Sequence, residues 1–501
     1  MLHCYDSITR ATLGTAIRAP VSGAPDRFQA AAEAPAPDQD TRLTRIGLLT
    51  PYDGSNLGDG AIQTAVIENL RRREPGVALL GITLDPSDTT ARHGIPAFPI
   101  TGLSVTSYSE AMRRSIGDGA QAESHRKAAV AASTPSRGDF LRKGVKAIPL
   151  VGSTLRFLRR KWQAARQIPA EVRHLTQSYR IVRELDLLLV SGGGQLDEEF
   201  GGPWGHPYAL FRWAMLARLA GTPFAIASVG VGYLNRPLSR FFLRHALASA
   251  EYRSYRDPGS KERLARWRFT HNDPCVPDIA FSMEFSAAPS GRAGGSGRIV
   301  GVSPMIYGHA RHWPTERAAV YEGYSRRLAE FAEWLLERGN TLLLFHSSSA
   351  DRVAIADLKS RLGERLGAAA GRRVLEPPIH TVAQFFDEVA KADCVVASRL
   401  HGVLMSHLLD KPVLAISFDR KVDAHMESVA QSDYRVDISR FEVAELIERF
   451  QDLERNADSV RATVARHVAE FRHALADQYD ALLDLAGAPR ANLTPSARSA
   501  S

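Results

Sequence analysis

The feature that most constrains this chain is an alternation repeated along it: a short apolar run, a turn rich in glycine or polar residues, then a segment with helical spacing. It first shows in "RIGLLTPYDGSNLGDGAIQTAVIENLRRR", where residues 45–50 read as a strand and Ile62, Val66 and Leu70 recur at helical spacing. A second strand, "VALLGITLD", follows. Strands alternating with helices predict a parallel sheet, because parallel neighbours need a crossover connection.

The pattern breaks near residue 105 and resumes at "ELDLLLVSGGGQL". It continues through the helix "YALFRWAMLARLAG", with Gly221 as its expected C-terminal cap, the strand "PFAIASVGVG" and the helix "SRFFLRHALASA". The run "SAAPSGRAGGSGR" has the composition of a linker and places a domain boundary near residue 291. Beyond it the alternation restarts, from "IVGVSPM" to "PVLAISFD". The expected organisation is a disordered leader over 1–42, an N-terminal α/β domain over 43–290 with an insertion at 111–183, and a C-terminal α/β domain over 291–440. Terminal helices over 441–487 and a flexible tail over 488–501 complete it. Two such halves bind ligands at the carboxyl ends of their strands, in the cleft between them.

Composition narrows the function classes. Hydrophobic residues make up 44% and charged residues 24% of the 501, as in ordinary globular proteins, and no apolar run reaches the roughly 18 residues of a spanning helix. The N-terminal stretch has no apolar core of signal-peptide length, so a cytoplasmic location is expected. Cys4, Cys275 and Cys394 are too scattered for a disulfide framework or a zinc site, and no metal is expected. Net charge is +8, yet residues 121–185 alone hold fourteen Lys and Arg against four Asp and Glu. The rest of the chain is near neutral, which argues against a nucleic-acid surface. Within that segment, "KAIPLVGSTLRFLRRKWQAARQI" sets Leu155, Leu158 and Trp162 among clustered cations. Residues 140–167 therefore read either as a basic amphipathic helix on an anionic membrane surface or as a solvated helical excursion.

Four loops at strand ends carry candidate chemistry. Asn56, Gly58 and Asp59 open a helix, where free amides suit an anion or a sugar hydroxyl and Asp59 equally suits a cap. Gly192, Gly193 and Gly194, with Asp197 behind them, let backbone approach a ligand, but the GxGxxG spacing of a dinucleotide site is absent. Arg256 offers a planar fork for a carboxylate or phosphate; alternatively it makes a surface salt bridge while Asp257 or Ser260 starts a helix. The fourth loop, Arg399, Leu400, His401 and Gly402, is followed by Lys421. These cations bracket one strand–helix–strand unit and converge on one sheet edge, which favours a small, multiply charged anion.

In this order, "NLGDGAIQ", "DLLLVSGGGQLDE", "YRDPGS", "VPDIAF" and "SRLHG" with a downstream lysine resemble the polysaccharide pyruvyl transferase family, over about residues 45–110 and 184–430. The resemblance implies two Rossmann-like domains with a central cleft, as in GT-B glycosyltransferases. It also implies phosphoenolpyruvate as donor substrate, no cofactor, and a saccharide or lipid-linked oligosaccharide as acceptor, in exopolysaccharide or cell-surface glycan biosynthesis. Arg256, His401 and Lys421 fall at positions the family uses for donor binding and catalysis. The chemistry is compatible with these side chains: an imidazole ordinarily titrates near neutral pH and suits protonation of an enol carbon, while Arg256, Lys421 and Arg399 suit carboxylate and phosphate. The acceptor is expected on the N-terminal half around Asn56, Asp59 and Asp197. "HSSSAD" at 346–351 departs from the family's polar loop, which leaves Asp351 a weak candidate. The alternatives are a GT-B glycosyltransferase using a nucleotide sugar, although the strand-end loops carry no DxD motif, and a non-catalytic saccharide-binding protein of the same fold.

Overall fold

The computed structural model describes residues 43–102, 169–198, 201–284, 297–308, 318–366 and 372–487. The leader, the tail, most of the 111–183 insertion with its 140–167 segment, and the linker centre lie outside the described residues.

Each half is one parallel sheet of six strands. The first holds β1 (Arg45–Leu49), β2 (Ala78–Thr83), β3 (Ala97–Pro99), β4 (Leu187–Ser191), β5 (Phe224–Val229) and β6 (Tyr252–Tyr255), in the order 3-2-1-4-5-6. The second holds β7 (Ile299–Ser303), β8 (Thr341–Leu344), β9 (Val374–Leu375), β10 (Cys394–Ala397), β11 (Val413–Ser417) and β12 (Arg435–Asp437), in the order 9-8-7-10-11-12. The two orders are the same doubly wound topology. Each sheet therefore has a switch point, between β1 and β4 and between β7 and β10, where a crevice opens at the strand ends. β4, β5, β10 and β11 are buried along their whole length, as expected for strands covered on both faces.

The covering helices in the first half are α1 (Leu57–Arg73), α2 (Pro86–His93), α3 (169–182), α4 (His206–Ala220), α5 (Pro237–Ser249) and α6 (Pro258–Arg266). Those in the second are α7 (Ala318–Glu337), α8 (Arg352–Leu366), α9 (Val382–Val389), α10 (Leu400–Leu408), α11 (Arg420–Ser428) and α12 (Val443–Arg455). Gly221 ends α4 in the left-handed conformation, as its sequence position predicted. The chain closes with α13 (Ala457–Leu485), which returns to the first half. There the Tyr479 hydroxyl meets Ser282 Oγ at 3.0 Å, Arg73 Nε donates to Asp480 at 3.2 Å, and Gln478 Nε2 donates to Ser228 Oγ at 3.0 Å. Gln478 Oε1 also accepts from Tyr252 and Ser254. One buried amide thus satisfies three hydroxyls across the joint between the halves.

Gln478→Ala removes that amide and strands buried hydroxyls. It is expected to lower unfolding free energy by about 1–3 kcal/mol, read as a lower midpoint in urea denaturation with an unchanged slope.

Candidate functional site

The switch points of the two sheets face each other across a cleft of about 1050 Å³. The halves are stitched beside it by backbone. Leu57 N donates to Ser347 O at 2.8 Å, and Ser349 N to Ser55 O at 3.0 Å. Asn56, Asp59, Gly192, Gly193, Gly194, Asp197, Arg256, Arg399, Leu400, His401 and Lys421 all line this cleft. Gly58 and Gly402 do not; both are buried behind its wall.

On the first half, α1 begins at an asparagine cap: Asn56 Oδ1 accepts from Gly58 N at 3.0 Å. The sequence left Asp59 as an alternative cap, and the structure assigns that role to Asn56. Asp59 instead accepts from Asn56 Nδ2 at 2.9 Å and faces the cleft. Burial raises its carboxyl pKa, and the charge of His401 opposes the rise without cancelling it. Gly192 and Gly193 hold φ of 60° and 74°, a backbone that glycine adopts without strain. Their loop locks to the one after β5, since Gly230 N donates to Gly193 O at 2.8 Å and Leu196 N to Gly230 O at 3.2 Å. Asp197 accepts from Tyr233 N at 3.2 Å on the same loop.

Arg256 leaves β6 and is nearly buried. Its partner is no surface group: Nη1 donates to Asp278 Oδ2 at 3.1 Å, while Asp257 accepts from Ser260 N at 2.7 Å and caps α6. A Cβ on Gly230 would sit 2.6 Å from the Arg256 guanidinium, so a larger residue there would displace it. Asp278 is the residue that the reading of single loops missed, although "VPDIAF" contained it. Burial alone would push its pKa up. The His401 ring, 3.7 Å from Oδ2 and too distant for a good hydrogen bond, outweighs burial together with the Arg256 charge and the Ala280 amide, and the carboxyl is held well below the usual range.

On the second half, β10 runs into α10 at its switch point. Arg399 occupies the cap position of α10 without a capping hydrogen bond from its side chain. Its guanidinium grips Asp351 from both Nε and Nη2, the latter at 2.9 Å. Asp351, weak in the sequence, is thus a fully buried anchor, and Arg399 faces the cleft with its charge already matched. Burial would lower the Arg399 pKa, but the Asp351 carboxylate more than reverses this. His401 Nε2 is buried without a hydrogen-bond partner, as are Ser303 Oγ and Ser347 Oγ beside Gly402. Gly402 is a packing position; an added Cβ would meet Ser303 and Ala397 at ordinary distances of 3.5 and 3.6 Å. Gly58 is different. An added Cβ would lie 2.1 Å from the His401 ring, so the start of α1 and the start of α10 touch through a missing methyl group.

Lys421 lies in the first turn of α11, with Nζ 5.1 Å from the Phe418 ring centroid at the cleft wall. Behind the wall, α10 and α11 are tied by a buried imidazole pair, His407 Nδ1 and His425 Nε2 at 2.9 Å. Burial holds both rings neutral, His407 well below its ordinary pKa and His425 down to about 4. No membrane-spanning helix and no cluster of three metal-ligating side chains occurs among the described residues.

Two outcomes follow from this packing. Gly58→Ala overpacks the joint and is expected to cost about 1–3 kcal/mol of stability, measured by chemical denaturation, whereas Gly402→Ala costs far less. The histidine pair sets a pH dependence. An unfolded His425 takes up a proton near pH 6.5, while the folded one refuses it until about 4, so its contribution is complete above 6.5 and is lost as pH falls toward 4. The loss is on the order of 3 kcal/mol for this ring alone; urea titrations at pH 7 and pH 4.5 read it, and His425→Gln flattens the difference.

The fold resembles that of solved proteins at low identity. A Listeria monocytogenes protein assigned as UDP-N-acetylglucosamine 2-epimerase superposes with a TM-score of 0.52 at 11% identity, over 88% of this chain and 96% of that one. Anabaena HepE in complex with UDP gives 0.49 at 13%, over 88% and 100%. The Neisseria meningitidis UDP-GlcNAc 2-epimerase bound to UDP-GlcNAc gives 0.46 at 10%, over 88% and 100%. Identities this low speak to architecture alone, and the Listeria match places the chain among GT-B-like proteins of two Rossmann-like domains. No curated protein matches by sequence. The sequence model of polysaccharide pyruvyl transferases matches residues 56–420, from the Asn56 cap to Arg420 beside Lys421. That span takes in both walls of the cleft, and the chain belongs to the polysaccharide pyruvyl transferase family.

Proposed function

We propose that this protein transfers the enolpyruvyl group of phosphoenolpyruvate to a saccharide as a pyruvate ketal, releasing phosphate. The observation that carries the reading is the uncapped N-terminus of α10. It opens on the cleft beside Lys421, with the orphaned Ser347 Oγ and His401 Nε2 at its edge. A helix start with no side-chain cap and buried donors without partners is a site for an anion.

In this reading the phosphate lies at the start of α10 against Lys421 and Ser347, and the carboxylate toward Arg256. His401 gives a proton to the methylene carbon, leaving an oxocarbenium-like centre that one sugar hydroxyl attacks. The C–O bond to phosphate then breaks, a second hydroxyl closes the ketal, and its proton leaves with the phosphate. Asp59, whose raised pKa makes it a stronger base than an ordinary carboxylate, takes the proton of the first hydroxyl and returns it to His401. Asp278 touches neither substrate and positions Arg256 and His401. The acceptor then occupies the first-half wall of Asn56, Asp59, Gly194 and Asp197, in the assembly of an exopolysaccharide or cell-surface glycan.

The test is phosphate release from phosphoenolpyruvate against a panel of saccharides. His401→Ala is expected to lower kcat by about 10²–10⁴-fold, Lys421→Ala to raise KM for phosphoenolpyruvate, and Asp278→Asn to lower kcat with a smaller change in KM. Turnover of nucleotide sugars without any phosphate from phosphoenolpyruvate would overturn the reading.

A further inference from the structure

From Phe200 to Ala250 the sequence contains no Asp or Glu, but five arginines. The structure folds this stretch into α4, β5 and α5, and the two helices pack side by side on one face of the first sheet. Their outer surface is aromatic. Trp204 contacts Tyr208 and Phe242, Phe211 contacts Phe241 and Phe242, and Phe241 lies against His245, tilted, with ring centroids 4.2 Å apart. Two of these rings stand in solvent, Trp204 at 67% and Phe241 at 48%, as do Leu219 at 73% and Leu238 at 37%, while Phe242 is buried beneath them. On α5, Leu238, Phe241, His245 and Ala248 form one exposed strip, bordered by the exposed Arg240 and Arg244.

A core would have covered these rings, and an ordinary solvated face would carry carboxylates. Exposed rings together with the exposed Arg218, Arg240 and Arg244, and with no acid on either helix, fit the headgroup layer of an anionic bilayer. There rings with one apolar and one wet side are at home, and each cation near the surface adds attraction. Of the flanking carboxylates, Glu198 accepts from the amides of Asn235 and Arg236 and Glu171 pairs with the buried Arg212, while Glu251 is exposed just past the C-terminus of α5. The loop leading into α5 ends this surface at Tyr233, which is 66% exposed and also lines the cleft.

We infer that the outer face of α4 and α5, from Trp204 to Arg244, docks on an anionic phospholipid surface and turns the first-half wall of the cleft toward a membrane-borne acceptor. The docking is independent of the donor chemistry; only the identity of the acceptor rests on the proposed function.

The experiment is sedimentation of the full chain with phosphatidylcholine vesicles, with and without about 30 mol% phosphatidylglycerol. Binding is expected only to the anionic vesicles and is expected to weaken with salt. Arg240→Gln with Arg244→Gln, and separately Trp204→Ser with Phe241→Ser, each weaken it about 30-fold. Arg159→Gln with Arg160→Gln and Lys161→Gln, in the basic insertion, leaves most of it. Phosphate release with a soluble saccharide, unchanged in both face variants, shows that they fold; an inactive wild type that still binds vesicles sinks the proposed function and not the docking. The inference is overturned if the wild type ignores anionic vesicles, if the face variants bind as it does, or if only the insertion variant loses binding. It is equally overturned if light scattering finds a dimer that Trp204→Ser with Phe241→Ser dissociates, because a second copy then covers the face.

Discussion

A carboxylate with almost no access to water, Asp278, holds the two halves of the site in register. Burying a charge is costly unless it is paired, and removing one partner of a buried pair leaves the other uncompensated. Here the partners come from different domains: Arg256 from the end of β6 and His401 from the start of α10. Arg256 and the Ala280 amide hold the carboxylate within the first half, and His401 adds to them from the second. Gly58 links the halves sterically, because α1 meets the His401 ring with no room for a methyl group. Charge and packing converge on one histidine, so its position is fixed before any ligand arrives.

Both walls of the cleft carry both signs. The first half contributes Asp53, Asp59, Asp197, Asp257 and Glu262 beside Arg256, Arg263 and Arg266, and the second contributes Arg399, His401, Arg420 and Lys421 beside Asp419, Asp423 and Glu427. Carboxylates accept hydrogen bonds and cations suit an anion, so the lining can meet a ligand that bears both hydroxyls and charge. The pairing of Arg399 with Asp351 refines this: a fully matched arginine contributes rigidity and donor geometry more than net charge. His401 and Lys421 stand on the two helices that the His407–His425 pair ties together.

Much of this was legible in the sequence because it is local. Strand runs, glycine turns and the Gly221 cap depend on neighbours a few residues away, and the strand-end rule then points to the loops that line the cleft. What escaped is long-range. Arg256 could be read as a fork for a ligand or as a surface cation, and its buried partner was hidden because Asp278 lies 22 residues on, beyond α6. Arg399 meets Asp351 across 48 residues, and no spacing encodes that. Gly58 and Gly402 read as ligand-facing glycines, yet one makes room for a side chain from the other domain and the other is simply packed. The segments of α4 and α5 read simply as helices, because a helix pattern does not reveal which of its aromatic rings stay uncovered.

The two halves repeat one topology and differ where it matters. Each presents a helix N-terminus at its switch point, and both termini carry the same partial positive charge. In the first half that charge is met from within: Asn56 caps the amide of Gly58, and Asp59 stands in the first turn. In the second half the cap position is held by Arg399, which caps nothing and turns its guanidinium to Asp351. An anion entering the cleft therefore meets one helix end that is already satisfied and one that is not. Asparagine at one cap and arginine at the other, on otherwise matching scaffolds, makes the two helix ends differ in how much of their positive charge is met from within the protein.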